Sequence, residues 1–415
     1  MTVDPTTDDP AGGDSATDYP AGGDSATDGG NDVETDAGLA VYWHDRMLDH
    51  EQPPGAFKHP STPIVANDET HPDRRERVEN IVATVEHGFP AESRFIEPDR
   101  ASRETIERVH DAEYVDWLEA FCADGGGRIG RTTTGANEAT YDAARVAVGA
   151  AVAAANHALS GRSGVPYALC RPSGHHAQPT QADGFCFLNN AAIAAEAALA
   201  TDGVDRVAVV DWDVHHGNGT QEAFYGRDDV LFVSAHHDHG SWSEYHPQEG
   251  SLAEDGEGDG AGYTVNVLLP PGTGDRGYER LFERIVEPIV RSYDPDLVLV
   301  SAGQDAGTMD PNGRNLVTRG GFRTLGSRVR ALADDVADGR LALIQEGGYQ
   351  TSHLSFATLG VLEGVLDQLV DLEGYGHDDP MAWLDEPTEL VDEWLDEAID
   401  YHRAHWPVLS EPADE

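Results

Sequence analysis

Aspartate and histidine alternate between Asp211 and His215, in the segment Asp-Trp-Asp-Val-His. In an extended segment alternate side chains point the same way, so Asp211, Asp213 and His215 can converge at one strand end. Carboxylate oxygens and an imidazole nitrogen suit a divalent cation, and three protein ligands leave a position open for water. We predict a metal site formed by Asp213, His215 and Asp305, the last from a neighbouring strand end. The alternative is that Asp213 and Asp305 only cap helices or hold loops.

Two adjacent histidines, His175 and His176, are candidates for acid–base chemistry. A water activated by a metal needs a base that takes its proton, and the leaving group needs an acid. Asp211 is available to hold one imidazole in its charged form if Asp213 binds the metal. Tyr349, in a Gly-Gly-Tyr turn that we expect to be flexible, can hydrogen-bond an oxyanion opposite the metal. For His176 alone, the alternative is a hydrogen-bonded core histidine.

The elements that must position these residues alternate between apolar strand-like segments and helical patterns. This alternation predicts an α/β fold, a single large domain with a central, mostly parallel sheet flanked by helices. The predicted strands are Val165–Cys170, Arg206–Asp211, Val230–Ala235, Asp296–Ser301 and Leu341–Gln345. The predicted helices are Glu138–Leu159, Asn189–Ala200, Tyr278–Ser292 and Pro387–His405. Because ligands bind beyond the carboxyl ends of parallel strands, the polar residues that follow these strands should share one site.

Three regions follow from the composition along the chain. Residues 1–36 repeat the segment PAGGDSATD and contain ten acidic and no basic residues, which predicts a disordered acidic tail. Residues 37–372 form the predicted catalytic domain. Residues 373–415 form a predicted C-terminal helical extension packed on the body, in which Leu390, Val391, Trp394, Leu395, Ala398 and Ile399 lie on one helical face.

The charge balance is strongly acidic. The chain has 76 acidic and 27 basic residues, a formal net charge of -49, and its only lysine is Lys58. Acidity spread along the whole chain is typical of proteins from salt-loving cells, where the Debye length is about 3 Å or less. This charge opposes direct binding of nucleic acid or of an anionic membrane.

The location that we expect is the cytoplasm. The three cysteines are widely spaced and odd in number, which argues against a disulfide framework. The first 36 residues lack the pattern of a secretory leader. An apolar segment of about 18 residues, the length that spans a membrane, is absent from the sequence.

Several segments together resemble the histone deacetylase and acetylpolyamine amidohydrolase superfamily, nearer its class II branch. The resemblance covers roughly residues 38–372. The matching segments are His71–Arg74, Val109–Val115, Arg171–Ala177, Gly184–Cys186, Asp211–Thr220, Ser301–Ala306 and Glu346–Tyr349.

The resemblance implies one zinc ion per chain, held by Asp213, His215 and Asp305. It also implies a structural potassium ion, bound through the backbone around Asp211, Asp213, His215 and Ser234-Ala235.

Roles for the remaining site residues also come from the resemblance. It implies that His176 is the general base and acid, and that His175, paired with Asp211, stays charged and supports the transition state. Tyr349 would polarise the acetyl carbonyl. Together these roles predict hydrolysis of an N-acetyl amide to acetate and a free amine.

A narrow substrate channel is implied as well. Gly184 and Phe185 would line it on one side, and Tyr245 and His246 would form the opposite wall. The substrate class that we expect first is acetyl-lysine in proteins, with acetylated polyamines or other small acetylated amines as the alternative. The sequence is compatible with an oligomer.

Two positions depart from patterns within the superfamily. Class I members have aspartate at the position of Asn218, whereas class II members have asparagine, as this chain does. The asparagine weakens the negative field on the second histidine. Polyamine-selective relatives carry glutamate at the position that we align to Asn312, which weakens the polyamine reading, although Asp310 could still attract a cation.

Two further function classes compete with the deacetylase. A non-catalytic acyl-lysine-binding protein would be expected to lack a ligand or the tyrosine, and none is missing here. A binuclear manganese ureohydrolase would need additional metal-binding Asp and His where this chain has Tyr349 and the two histidines. Metal stoichiometry separates this last reading from a deacetylase with one ion per chain.

Overall fold

The structure of the chain, a computed structural model, describes residues 38–53, 63–64, 66–67, 70–130, 132–238, 246–372 and 384–410. The acidic tail predicted for residues 1–36 and the channel residue Tyr245 lie outside the described residues. Residues 373–383 and 411–415 of the predicted C-terminal extension also lie outside them.

Within the described residues, eight strands form one parallel sheet in the order β2-β1-β5-β10-β9-β6-β7-β8, and β3 and β4 form a small antiparallel pair. In chain order the strands are β1 (Leu39–Tyr42), β2 (Ser93–Ile96), β3 (Gly127–Arg128), β4 (Gly135–Ala136), β5 (Val165–Ala168), β6 (Val207–Asp211), β7 (Val230–His237), β8 (Thr264–Leu269), β9 (Leu297–Ala302) and β10 (Leu341–Gln345). Every residue of the central strands β5, β10, β9 and β6 is buried, as expected for a sheet covered on both faces. The predicted α/β fold with a parallel sheet is confirmed.

Helices cover the sheet. They are α1 (Glu76–Gly88), α2 (Arg103–Ile106), α3 (Ala112–Ala123), α4 (Thr140–Leu159), α5 (Asn190–Leu199), α6 (Asn218–Phe224), α7 (Asp275–Leu281), α8 (Glu287–Tyr293), α9 (Arg319–Val336), α10 (Thr351–Leu366) and α11 (Thr388–His402). A π-helical turn, Phe282–Val286, joins α7 to α8. Helices α4 and α5 pack on each other and on central strands, while α10 packs on α9 and α1.

The short strands β1 and β2 and the strand β8 are elements for which the sequence analysis made no prediction. Strands β1 and β2 have four residues each, and β2 is only partly buried. Such short segments carry too few residues for a periodic pattern, and pairing with β5 places β1 in the sheet.

The C-terminal helix α11 lies against strand β8. Its residues Val391, Leu395, Ala398 and Ile399 are buried. Leu390, which was predicted on the same face, is 41% exposed. Position 390 therefore lies at the rim of the buried stripe.

Among the described residues, the longer helices are too polar to be candidates for crossing a membrane.

Candidate active site

Four neighbouring strands bring the predicted site residues to one edge of the sheet. The strands β5, β10, β9 and β6 lie side by side in this order, although they come from distant parts of the chain. His175 and His176 follow β5, Tyr349 follows β10, Asp305 follows β9, and Asp211 ends β6. The carboxyl ends of parallel strands meet at one edge, so these groups become neighbours.

Asp213, His215 and Asp305 form a group whose ligand atoms all lie within 4.8 Å of one another. His215 Nδ1 is 3.1 Å from Asp213 Oδ1 and 3.0 Å from Asp305 Oδ2. Burial and the negative charge of Asp213 raise the pKa of Asp305. The charges of His175 and His215 outweigh burial at Asp213 and lower its pKa, so the cost of two adjacent buried carboxylates falls on Asp305. A divalent cation would compensate this charge, and two carboxylates with one imidazole form a donor set that fits zinc.

Backbone amides hold both carboxylates in place. Val214 N donates to Asp305 Oδ1 at 2.9 Å, and Gly347 N donates to Asp213 Oδ2 at 2.8 Å. A Cβ atom at Gly347 would lie 2.2 Å from Asp305 Oδ2 and 2.6 Å from Asp213 Oδ2. Only glycine therefore allows the turn after β10 to approach the two carboxylates this closely.

Asp211 holds the first of the two histidines. His175 Nδ1 is 2.9 Å from Asp211 Oδ2, and both side chains are buried. Burial alone would lower the pKa of His175, but the charges of Asp213 and Asp211 outweigh it and raise the pKa well above its ordinary value. This pairing favours the charged imidazole.

Asn218 holds the second histidine. His176 Nδ1 is 2.7 Å from Asn218 Oδ1, and Asn218 Nδ2 donates towards Asp183 Oδ2 at 3.4 Å. Because the carboxylate takes the amide N–H, the amide oxygen faces the ring and accepts from His176 Nδ1. Burial and the positive charge of His175 lower the pKa of His176. A neutral ring whose Nε2 carries no proton follows from these contacts.

Glu346 supports the turn that contains the two histidines. Its side chain is fully buried, and Oε2 accepts from Gly174 N at 2.7 Å and from His175 N at 3.2 Å. Burial raises the pKa of Glu346 to about 7. Glu346 has no role among the sequence-based predictions, although an acid directly after an apolar strand is a signal for a buried polar contact.

Tyr349 lies in a turn that is firmly held, in contrast to the predicted flexible turn. Arg77 Nε donates to Gly348 O at 2.5 Å, and Arg77 Nη2 donates to Glu346 O at 2.8 Å. The Arg77 guanidinium also stands 4.7 Å from the centre of the Tyr349 ring. Arg77 is itself buried and paired with Asp73, with 2.7 Å between Nη1 and Oδ1. The turn therefore packs on a buried ion pair.

Arg77 is a residue that the sequence analysis missed. It lies in the first turn of α1, four residues after Asp73 of the matching segment His71–Arg74, which precedes the helix. That spacing was the signal available in the sequence.

Gly184 and Phe185 lie beside His176 and Tyr349. A Cβ atom at Gly184 would be 2.1 Å from His176 Cδ2, and the φ angle of Gly184 is +52°. Phe185 has a φ angle of +71°. Its ring makes edge-to-face contacts with the rings of His71 and Tyr349, with 4.6 Å and 5.8 Å between the ring centres. The loop thus places an aromatic side chain beside Tyr349.

His246 is buried next to His176. The centres of the two rings are 5.7 Å apart, and His246 Nδ1 is 2.7 Å from Asp183 Oδ2. Asp183 in turn precedes Gly184 and accepts from its backbone N–H at 2.9 Å. His246 is therefore tied to the same loop as Phe185.

Comparisons with known proteins show the family to which the chain belongs. Residues 71–365 match the model of the family described as Histone deacetylase domain. The chain is 43% identical over 331 residues to Histone deacetylase 8 of Arabidopsis thaliana, covering 79% of this chain and 87% of that protein. It is 40% identical over 330 residues to the Histone deacetylase-like amidohydrolase of Pseudomonas aeruginosa, covering 78% and 85% of the two chains.

An archaeal relative and a solved structure are also similar. The Probable deacetylase of Archaeoglobus fulgidus is 39% identical over 326 residues, covering 78% of this chain and 84% of that protein. The crystal structure of the HDA15 HD domain superposes with a TM-score of 0.76 at 32% identity, covering 91% of this chain and 97% of that chain.

Proposed function

Because this chain belongs to the histone deacetylase domain family, we propose that it is a zinc-dependent deacetylase of N-acetyl amides, with acetyl-lysine in proteins as its substrate class. The reaction joins water to the amide and yields acetate and a free amine. The observation that carries the proposal is the meeting of Asp213, His215 and Asp305 with two differently paired histidines at one sheet edge.

Asp213, His215 and Asp305 would hold the zinc ion. Their donor set and the unfavourable proximity of two buried carboxylates support this assignment. Zinc bound there would polarise the acetyl carbonyl and make a water more acidic.

His176 would move the protons of the reaction. Its Nδ1 donates to Asn218, which leaves Nε2 to accept a proton from water and to return it to the nitrogen of the leaving amine. The low pKa that burial and His175 impose supports a ring that is neutral before the reaction starts.

His175 would remain charged throughout. Its pairing with Asp211 holds a positive charge directly beside the ring of His176, with 4.1 Å between the ring centres. A fixed positive charge at this position stabilises negative charge that develops on the substrate.

Tyr349 would donate its phenolic hydrogen to the carbonyl oxygen. Burial raises the pKa of Tyr349 well above its ordinary value, so the phenol keeps its proton at neutral pH. Phe185, in edge-to-face contact with the Tyr349 ring, would flank the aliphatic stem of the substrate.

The test is acetate release in high KCl. The wild-type protein is incubated with an acetyl-lysine peptide, with acetylspermidine and with acetylputrescine, each with and without a chelator. The variant His176→Ala is the matched control, since it removes the proposed base and leaves the three metal ligands in place.

We expect chelator-sensitive turnover that prefers the peptide and that His176→Ala removes. Preference for a polyamine would contradict the proposed peptide substrate but would still support deacetylase activity. Absence of turnover of all three substrates by folded, metal-loaded protein would overturn the function on acetylated lysine and polyamines, and would favour the acyl-lysine-binding alternative.

The finer assignments drawn from the sequence stay predictions. These are the class II-like branch, the salt-loving source, the cytoplasmic location and the structural potassium ion near Ser234-Ala235. Competition between KCl and NaCl in the same acetate assay tests the potassium ion, because a specific site would distinguish the two cations at equal ionic strength.

A further inference from the structure

Asp310 lies in the loop between the proposed metal ligand Asp305 and helix α9, and the mechanism above does not use it. Its carboxylate accepts four backbone N–H groups. Oδ1 accepts from Asn312 N at 2.8 Å and from Gly313 N at 3.2 Å. These two bonds stay within the loop and form a local turn.

The other oxygen reaches across to the turn after β10. Asp310 Oδ2 accepts from Tyr349 N at 2.5 Å and from Gln350 N at 3.3 Å. The two oxygens thus serve different segments, one inside the loop and one in the turn that carries Tyr349. The attraction of a cationic substrate by Asp310 stays a prediction.

The backbone and the ring determine the position of Tyr349. Among the described residues, its hydroxyl makes no hydrogen bond, and its ring contacts Arg77 and Phe185. Gly348, directly before it, has a φ angle of +116°, so the backbone turns sharply at this point. An anchor on Tyr349 N therefore controls the direction in which the side chain leaves the turn.

The loop that carries Asp310 is itself held near the proposed metal site. A Cβ atom at Gly313 would lie 1.9 Å from Asp305 O, so the two ends of the segment touch through their backbones. Asp310 N also donates to Gly307 O at 3.1 Å. Because the loop is compact, it fixes the distance between the carboxylate of Asp310 and Asp305, the residue at which the loop begins.

We propose that Asp310 is a positioning residue, which holds the backbone of Tyr349 at a defined position relative to the proposed metal ligand Asp305. The proposal rests on the deacetylase function proposed above. Asp310 acts through Tyr349: when its Oδ2 is lost, the phenol no longer sits where it can donate to the carbonyl oxygen. A misplacement of about 1 Å at a reacting centre can cost about 100-fold in rate.

Asp310→Asn removes the contact with the Tyr349 turn and keeps the bonds inside the loop. The asparagine Oδ1 can still accept from the amides of Asn312 and Gly313, since asparagine forms the same local turn. Its Nδ2 would face the N–H of Tyr349, donor against donor, so the contact with the turn is lost. Asp310→Ala removes both sets of bonds, and Asp338→Asn, at a side chain that is 89% exposed, is the matched control.

The kinetic arm is a double-mutant cycle with Tyr349→Phe. We expect Asp310→Asn to lower kcat about 10- to 100-fold, with KM changed less than about twofold and the bound metal unchanged. In the Tyr349→Phe background the same substitution should have no further effect, because the group through which it acts is already gone. Wild-type kcat in Asp310→Asn, full additivity with Tyr349→Phe, or loss of the metal would overturn the proposal.

A second arm does not depend on catalysis. Hydrogen exchange by mass spectrometry is followed in a peptide that covers residues 346–352, with metal-free and metal-loaded protein. We expect about tenfold faster exchange at the amides of Tyr349 and Gln350 in both Asp310 variants, since each loses its acceptor, and unchanged exchange in Asp338→Asn. Unchanged exchange in the Asp310 variants would overturn the proposal even if the wild-type protein hydrolyses no acetyl amide, so the two failures remain distinguishable.

Discussion

His175 and His176 are adjacent in the chain, and their ring centres lie 4.1 Å apart, yet their Nδ1 atoms have partners of different charge. His175 Nδ1 lies 2.9 Å from the carboxylate of Asp211, and His176 Nδ1 lies 2.7 Å from the amide oxygen of Asn218. The carboxylate favours a charged ring and the amide permits a neutral one. Two identical side chains are thereby prepared for two different tasks.

The first prediction concerns the base. His176→Ala should lower kcat by about 10²- to 10⁴-fold, the usual contribution of a general acid–base group, with bound metal unchanged. Steady-state acetate release and metal analysis measure both quantities. His87→Ala, which removes an exposed histidine at the end of α1, should keep wild-type turnover. Near-full turnover in His176→Ala would show that the proton moves through another group.

The second prediction concerns the metal. Zinc added to chelator-treated protein should bind with one equivalent per chain and raise the thermal unfolding midpoint, because a ligand that binds only the folded state stabilises it. At about 100 times the dissociation constant the gain is about 2.7 kcal/mol. Asp305→Asn keeps an oxygen for the amide of Val214 and should lose most of this gain. Two equivalents per chain would instead favour the binuclear alternative.

The third prediction concerns the ion pair of Arg77 and Asp73, on which the Tyr349 turn packs. Arg77 is 1% exposed and bonds Asp73 as well as two carbonyl groups of the turn. Arg77→Ala should therefore lower the free energy of unfolding by about 3 kcal/mol or more. Arg75→Ala removes an exposed pair with Glu79 on the same helix and should cost about 0.5 kcal/mol or less. Denaturant unfolding at one salt concentration compares the two, and equal losses would contradict the prediction.

The fourth prediction concerns acid stability. His110 is buried, and its Nε2 accepts from Asn189 N at 2.8 Å while Nδ1 faces Gln178 O at 3.1 Å. Burial lowers the pKa of His110 from 6.5 to about 4. The unfolded chain takes up the proton near pH 6.5 and the folded chain near pH 4, so acid favours the unfolded state between these values.

His110 should therefore contribute stability above pH 6.5 that is lost as the pH falls towards 4. The loss is about 3.5 kcal/mol at most, at about 1.4 kcal/mol per pKa unit. His110→Asn keeps a donor towards Gln178 and cannot titrate, so its unfolding free energy should depend less steeply on pH in this interval. Parallel pH profiles of the variant and the wild type would contradict the assignment.

Local patterns in the sequence predicted the central strands closely. Strand β10 was predicted with its observed bounds, and β6 and β9 within one residue at each end. Buried parallel strands are continuous apolar segments, so the signal lies in the residues themselves. The residue types after these strands also indicated a metal and acid–base chemistry before any geometry was known.

The sequence by itself thus determined the α/β class, the central strands and the set of chemically capable side chains. Only the tertiary structure decided that β5, β10, β9 and β6 are neighbours, that Arg77 supports the Tyr349 turn, and that Asp310 accepts four amides. The physical reason is distance along the chain. Apolar periodicity and turn chemistry act within a few residues, whereas Arg77 and Gly348 are 271 positions apart, and only packing of the whole sheet brings them together.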